Sequence, residues 1–544
     1  MATPSTDNTE AAVTRHRDAL LARCLVAIAM SASIVFAWLS TGAYQLDDLA
    51  HLKFAEWAWT HPAYLVHEWG RPGFTLVYAI PAALGWFWAR CFTAILCATT
   101  AWFTFRIARR ASVARPWLCV ALLFLQPLFF VLSYCTLTET VLALILAVAV
   151  DLAQRNRWSW SAFVLAIALV TRLEAVLFVP IWAWAAWRQR ASVWRLWPIG
   201  WAWLAQHLLI SLGTSESVWQ RWTNLRPTDY YGSGGWLSMW CRSFEAWGPG
   251  LAALAFCGAL VLMLRRDPRQ TAALLIAGPM LSYFVVHTII WRFGLFGGGG
   301  LPRYLVPIAP FIAISATESI NALLASGSQL RRLVCLGVAA LAALMLVATE
   351  IQMRTALVPF YVPYSHFIQW FIRVFAPIAL LLGVIGWMQR ATLPARRAGS
   401  LAVSTILLAA LAGVQLAVWG YIVEPVRPLP QERVAAATLD WLRRQGLADR
   451  PMIYADLCIA AARGETFPAA PRRLRDAIGR AEPGTLVVWD YFYAEQPWNG
   501  IVRSDMDGSP SFRLLYTSPP VEFHPEAEIR VYEKIAEWTP RARS

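Results

Sequence analysis

The sequence predicts an all-α polytopic membrane bundle of about thirteen transmembrane helices, with a C-terminal extracytoplasmic α/β domain. Three observations predict it. Hydrophobic residues fill 58% of the 544 positions, charged residues only 15%, and Trp alone occurs 30 times, where an ordinary soluble domain carries about 25% charged residues. Mean hydropathy is +0.47. The basic residues lie in short clusters between long apolar runs, as in the cytoplasmic loops of membrane proteins. Disordered, fibrous and small disulfide-framework classes are excluded by the same numbers.

The net charge of +14 comes from 47 basic and 33 acidic residues. Its scatter between apolar runs points to a bilayer and not to nucleic acid. All the basic residues except Lys53 and Lys534 are Arg. The nine Cys form no CxxC or zinc spacing, and most lie in apolar runs as small buried hydrophobes.

Residues 1–18 form a polar cytoplasmic N-terminus. The first run, 19–40, is too long for the apolar core of a signal peptide and has no evident cleavage site, so it reads as an uncleaved span. Twelve runs follow at 87–106, 116–133, 137–153, 158–171, 174–187, 196–212, 248–264, 271–290, 304–324, 333–349, 372–389 and 399–421. The runs 158–171 and 174–187 fall short of the ~20 residues a full span needs and read as tilted, broken or re-entrant.

The Arg clusters fix the orientation. They are Arg106/Arg109/Arg110/Arg115, Arg155/Arg157, Arg188/Arg190/Arg195, Arg265/Arg266/Arg269, Arg331/Arg332 and Arg390/Arg396/Arg397. With each cluster cytoplasmic, the segments 41–86, 134–136, 172–173, 213–247, 291–303, 350–371 and 422–544 face outward. The chain then divides into a membrane domain over 19–424, whose outer loop 41–86 carries the active site, and an extracytoplasmic domain over 425–544. In the latter, QERVAAATLDWLRRQG reads as an amphipathic helix. PMIYADL, GTLVVWDYF, FRLLYTS and AEIRVYEKI read as strands, with a helix near 470–480.

The loop YQLDDLAHLKFAEWAWTHPAYLVHEWGRPGFTLVYAIPAALG concentrates ionisable groups: Asp47, Asp48, His51, Lys53, Glu56, His61, His67, Glu68 and Arg71. Paired carboxylates just past a span suit a general base or a metal ligand. A solvated interfacial helix anchored by its Trp residues is the plainer alternative. Charge beside the membrane is costly and usually has a use. Glu139 opens the fourth run, and Arg172 and Glu174 separate the short fifth and sixth, as a structural bridge or part of a phosphate site. Arg292 and Arg303 flank a run of four glycines, 297–300, which either lets a ligand approach the backbone or makes a flexible loop. Arg303 can meet a lipid phosphate or merely snorkel. No nucleotide-binding motif is present.

These residues together resemble the GT-C superfamily of integral-membrane glycosyltransferases. That superfamily includes protein O-mannosyltransferases, lipid A aminoarabinose transferase and dolichyl-phosphate-mannose-dependent enzymes. The matching features are Asp47-Asp48 after the first span, Thr138-Glu139 at the fourth, the TRLEA segment with Arg172, and LPRYLVPIAP with Arg303. The chain departs from many relatives in having Gly70-Arg71-Pro72-Gly73 where they carry Lys-Pro-Pro or a similar pair.

The resemblance implies a cell (inner) membrane enzyme that moves a sugar from a polyprenyl-phosphate donor to a hydroxyl on a glycan, lipid or protein. Transfer would be at the outer face with inversion, and mannosyl transfer is among the family's activities. Asp47 or Asp48 would be the base. Arg303, Arg172, Arg292 and Lys53 are the donor-phosphate candidates. Glu139, His51, His67 and Glu68 are candidates for the acceptor or a metal. An acidic pair serves equally as base or as ligand to a divalent cation, Mg or Mn. The competing reading is a lipid-linked sugar flippase or transporter, or a non-catalytic protein of the same fold.

Overall fold

The computed structural model describes residues 6–66, 70–213, 232–264, 270–325, 329–354, 363–389, 394–464, 474–491, 493–495, 499–521 and 527–538. His67 and Glu68 lie outside the described residues, as do Arg265, Arg266, Arg269 and Arg390. The chain packs as two compact units. One joins Met1–Ala37, Arg71–Gly73 and Arg90–Glu424; the other joins Trp38–Gly70, Phe74–Ala89 and Pro425–Ser544.

The first unit is helical and membrane-spanning. Among the described residues seven helices are long and apolar enough to cross a bilayer. The pair Ser238–Ala246 and Pro249–Leu264, bent by 110°, makes an eighth if counted as one span. In its most apolar stretch Val13–Leu39 is only 11% buried, against 89% for Pro302–Leu324; the first has apolar sides suited to lipid and the second is packed on nearly every side. Trp187, Trp194 and Trp197 stand exposed beside the basic cluster Arg188/Arg190/Arg195, as interfacial aromatics do.

The remaining expected runs fold into shorter pieces. Thr138–Gln154 has 17 residues and Trp158–Thr171 has 14, below the ~20 that cross ~30 Å of hydrocarbon. The run 116–133 breaks before Pro127, giving Leu118–Phe124 and Pro127–Leu132, because proline opens a helix but cannot continue one. The run 174–187 starts as a 3₁₀ turn, Leu173–Leu177, and 196–212 starts in another, Val193–Gly200.

Broken helices free backbone groups that lipid cannot satisfy. Gln415 satisfies several at once. Its Nε2 donates to the carbonyls of Leu125 (2.7 Å) and Trp247 (2.8 Å), and its Oε1 accepts from the Leu251 amide at 3.1 Å. Trp419 Nε1 donates to the Phe124 carbonyl at 3.0 Å. One turn of the Leu401–Ile422 span thus covers the breaks of two other segments. Elsewhere the buried Asp151 accepts from Arg106 (3.0 Å), Arg110 (3.3 Å) and Arg155 (2.9 Å), fastening the Arg-rich ends of Trp86–Arg110 and Thr138–Gln154.

The second unit holds a four-stranded sheet of β1 (Met452–Tyr454), β2 (Leu486–Asp490), β3 (Phe512–Thr517) and β4 (Ile529–Lys534). Their order is β1-β2-β4-β3. β1 runs parallel to β2 with Met452 opposite Leu486, and the other pairs are antiparallel, with an irregularity at Leu514/Tyr516 in β3. β2 is buried along its whole length, which is why it reads LVVW without alternation. The helix Pro430–Arg444 lays Val434, Ala435, Leu439 and Leu442 against this core.

The core also contains Leu49, Ala50 and Trp57 of the helix Leu46–Trp57. The sequence reading placed 41–86 in the membrane domain; most of it packs instead with 425–544, because its apolar face finds partners on Pro430–Arg444 and β2. Thr41 N–H donates to the Val426 carbonyl at 2.8 Å, Val426 N–H donates to Ser40 Oγ at 2.9 Å, and Ala43 N–H donates to Glu432 Oε2 at 2.9 Å.

Candidate functional site

In the membrane unit, two separate segments converge on Glu139. Its carboxylate sits in the first turn of Thr138–Gln154 and is fully buried. Arg172 leaves the end of Trp158–Thr171 in an extended conformation, which carries its side chain back over that turn. Arg172 Nη1 donates to Glu139 Oε1 at 2.8 Å, and its Nη2 donates to Glu174 Oε1 at 2.9 Å. Arg303 Nη1 reaches the same Glu139 oxygen at 2.9 Å. Arg303 is held in a 3₁₀ segment, Pro302–Ile308, that Trp247 Nε1 pins through the Leu305 carbonyl at 3.1 Å.

Aromatic rings line the pair. Tyr304 lies 4.9 Å from the Arg172 guanidinium and 5.3 Å from that of Arg303, within cation–π range. His287 stacks on Tyr304 at 5.6 Å and meets Tyr283 edge-on at 4.5 Å. Arg71 adds a third guanidinium close enough for its charge to act on Glu174. Arg71 has a left-handed backbone, φ 56°. Gly73, two residues on, packs so tightly on the helix Trp158–Thr171 that a Cβ would lie 2.0 Å from Thr171 Oγ1. The second glycine of GRPG therefore answers a local close approach.

The four-glycine run has a similar explanation at Gly300. It has φ +59°, and a Cβ there would lie 2.4 Å from the Trp291 ring. Arg292 stands over Trp236 and Phe293 at 5.8 and 5.6 Å, apart from the groups that share Glu139. The sequence groups Arg172 and Arg303 with Arg292 and Lys53 as phosphate candidates and sets Glu139 apart as an acceptor or metal candidate; the structure puts Arg172 and Arg303 on Glu139 itself. Tyr304 and Tyr283 are absent from the sequence candidates, whereas His287 is among the polar residues that flank the glycine run together with Arg292 and Arg303. The signals were present: Tyr304 follows Arg303 directly, and Tyr283 and His287 have the i, i+4 spacing of one helix face.

In the second unit, Asp47 and Asp48 occupy the first turn of Leu46–Trp57. Asp48 is fully buried and accepts from the Tyr44 N–H at 2.9 Å, whereas Asp47 is half-buried. Carboxylates at a helix N-terminus are favoured by the backbone dipoles. His51 is buried one turn on, against Phe74 at 5.2 Å. Lys53 pairs with Glu56 at 2.7 Å.

Two further carboxylates, Asp456 and Asp490, lie at the C-terminal ends of β1 and β2, both buried. Asp456 Oδ1 accepts from the Cys458 N–H at 2.7 Å and caps the helix Leu457–Arg463. Asp490 Oδ1 accepts from the Tyr493 N–H, and its Oδ2 has no partner. Burial pushes Asp456 up to about 6, and burial with repulsion from Asp456 raises Asp490. Among the described residues no three His, Cys, Asp or Glu side chains gather as metal ligands.

No family model and no curated protein matches the sequence. The structure is similar to ArnT from Cupriavidus metallidurans, solved bound to undecaprenyl phosphate. The TM-score is 0.56 and identity 15%, and the match covers 94% of this chain and 98% of that one. The apo form of ArnT gives a TM-score of 0.56 at 14% identity, covering 94% and 97%. EmbB from Mycobacterium smegmatis overlaps less, with a TM-score of 0.41 at 12% identity over 73% of this chain and 40% of that one. The ArnT likeness spans nearly the whole of both chains and shows a shared fold, in agreement with the GT-C resemblance of the sequence.

Proposed function

We propose that this chain is an integral-membrane glycosyltransferase that moves a sugar from a polyprenyl-phosphate donor to an acceptor hydroxyl. The observation that carries the reading is the pair Arg172 and Arg303, buried in the membrane unit on one carboxylate oxygen. Buried guanidinium groups are expensive unless they serve a structure or an anion. A fold shared with a protein that binds undecaprenyl phosphate makes a lipid phosphate the fitting anion.

The chemistry divides accordingly. The acceptor O–H gives its proton to a carboxylate as its oxygen attacks the anomeric carbon. The bond from that carbon to the phosphate oxygen breaks, inverting the centre. The phosphate leaves with the electron pair, and Arg172 and Arg303 stabilise its growing charge. Asp47 is the better base, being partly accessible, while Asp48 is committed to the Tyr44 amide and positions the turn. The lipid tail needs only apolar surface, which the bundle has in excess.

The Arg clusters support an inner-membrane location, a cytoplasmic N-terminus and an outer-face position for 425–544. The deciding experiment incubates the purified chain with undecaprenyl-phosphate sugars and membrane extract, and follows release of undecaprenyl phosphate. Release that Asp47→Asn abolishes supports the reading. Movement of intact donor across a vesicle membrane without release would establish the flippase alternative.

A further inference from the structure

His287 is enclosed, with 4% of its surface accessible. It lies on the helix Gln270–Arg292, between Tyr283 and Tyr304, one ring away from the guanidinium groups of Arg172 and Arg303. It is close enough for the charges of Glu174, Arg172 and Glu139 to act on it. Its Nε2 is buried without any hydrogen-bond partner. Buried polar nitrogens are nearly always satisfied, and an exception calls for a partner, which beside a candidate site includes a ligand atom.

The surroundings limit what that atom is. Tyr304 stacks on the imidazole and Tyr283 meets it edge-on, so the ring is held on two sides and its nitrogens offer the chemistry. Three guanidinium groups, of Arg71, Arg172 and Arg303, outnumber the carboxylates of Glu139 and Glu174 there, so a cation would be repelled. A neutral hydroxyl has two lone pairs, too few for three separate donors. An anionic oxygen satisfies all three donors together, because phosphate has several oxygens arranged to accept in different directions.

We infer that His287 positions the phosphate of the lipid carrier, its Nε2–H donating to one phosphate oxygen while Arg172 and Arg303 hold others. The inference rests on the proposed polyprenyl-phosphate reading and adds to it a third donor. No bond is made or broken at His287. The neutral Nε2–H tautomer supplies the donor as well as the imidazolium does.

The test uses the full chain purified in detergent, with undecaprenyl phosphate, undecaprenol and inorganic phosphate as separate probes. Binding of undecaprenyl phosphate weakens about tenfold in His287→Ala, the scale of one lost hydrogen bond to a charged group. It returns to within about threefold of wild type in His287→Gln, whose amide restores a donor. Undecaprenol binds all three forms alike. With 15N-labelled histidine, one Nε2 resonance moves on adding undecaprenyl phosphate and stays still with undecaprenol. This readout needs no variant and so survives a misfolding His287→Ala.

Equal binding by wild type and His287→Ala, or an unmoved resonance in a wild type that binds, overturns the role of His287 alone. A resonance that moves as fully with inorganic phosphate overturns the lipid-carrier assignment and leaves a free-phosphate site. A wild type that binds no undecaprenyl phosphate overturns the proposed function and this inference together.

Discussion

Arg172 and Arg303 donate to a single oxygen, Oε1 of Glu139, at 2.8 and 2.9 Å. Two guanidinium groups from distant parts of the chain are held together by one buried negative charge. Either Arg alone would be an ion pair; the two together gather two guanidinium groups on one acceptor. Tyr304 lies within cation–π distance of both.

Removing the shared acceptor leaves two buried positive charges facing each other. Glu139→Ala is expected to cost about 3–5 kcal/mol of stability, and Glu139→Gln less, since its amide oxygen still accepts. Thermal unfolding in detergent measures both. A melting curve unchanged in Glu139→Ala would refute the enclosed arrangement. Arg303→Ala raises the donor KM about tenfold or more, as expected for a lost charge-assisted hydrogen bond, with the acceptor KM unaltered.

Asp47 and Asp48 are expected to separate by phenotype. Asp47→Asn lowers kcat by about 10²–10⁴-fold, the contribution of a general base, with an unchanged melt. Asp48→Asn weakens the contact to the Tyr44 amide and lowers stability by about 1 kcal/mol as well as activity. Full turnover in Asp47→Asn would move the base elsewhere.

The buried carboxyls of β1 and β2 give stability a pH dependence of known sign. Asp456 is raised from 3.8 to about 6, and Asp490 is raised also. The stabilisation is complete below about pH 4, where both folded and unfolded chains are protonated, and is lost as pH rises through about 6. Asp490→Asn keeps the acceptor for Tyr493 and abolishes the mutual repulsion. It should therefore be more stable than wild type at pH 7 by about 1–3 kcal/mol and similar at pH 4. Parallel denaturation curves at the two pH values would refute the coupling.

A periplasmic reporter enzyme fused after Ser544 is expected to be active, and a fluorescent protein that folds only in the cytoplasm is expected to be dark. The opposite pair of signals would invert the topology drawn from the Arg clusters.

Much of this architecture is legible in the residues, because apolar runs and sheet strands carry their burial in local composition. The run 19–40 meets the observed span Val13–Leu39, and LVVW is buried on both faces as β2. What is not legible is which apolar face meets which. The helix Leu46–Trp57 looks like an interfacial helix, since Leu49, Ala50 and Trp57 are equally suited to a bilayer surface and to a protein core. The partners that decide the matter, such as Leu439 and Val488, lie hundreds of positions later. Lys53 shows the converse: its i, i+3 spacing to Glu56 already offered a local partner. At the site, Arg172, Arg303 and Glu139 could each be named by charge in an apolar context. The His287–Tyr304 stack needed the three-dimensional path of two separate segments.

The shared core of Leu49 and Val531 also sets a timetable for biosynthesis. A ribosome adding about 5–20 residues per second finishes the later partner roughly half a minute or more after the earlier one. During that interval every intervening helix must be inserted, while Leu49, Ala50 and Trp57 wait without the surfaces that will cover them. Newly made chains should therefore depend on a holding chaperone, and a truncation that stops short of β4 should mature no further.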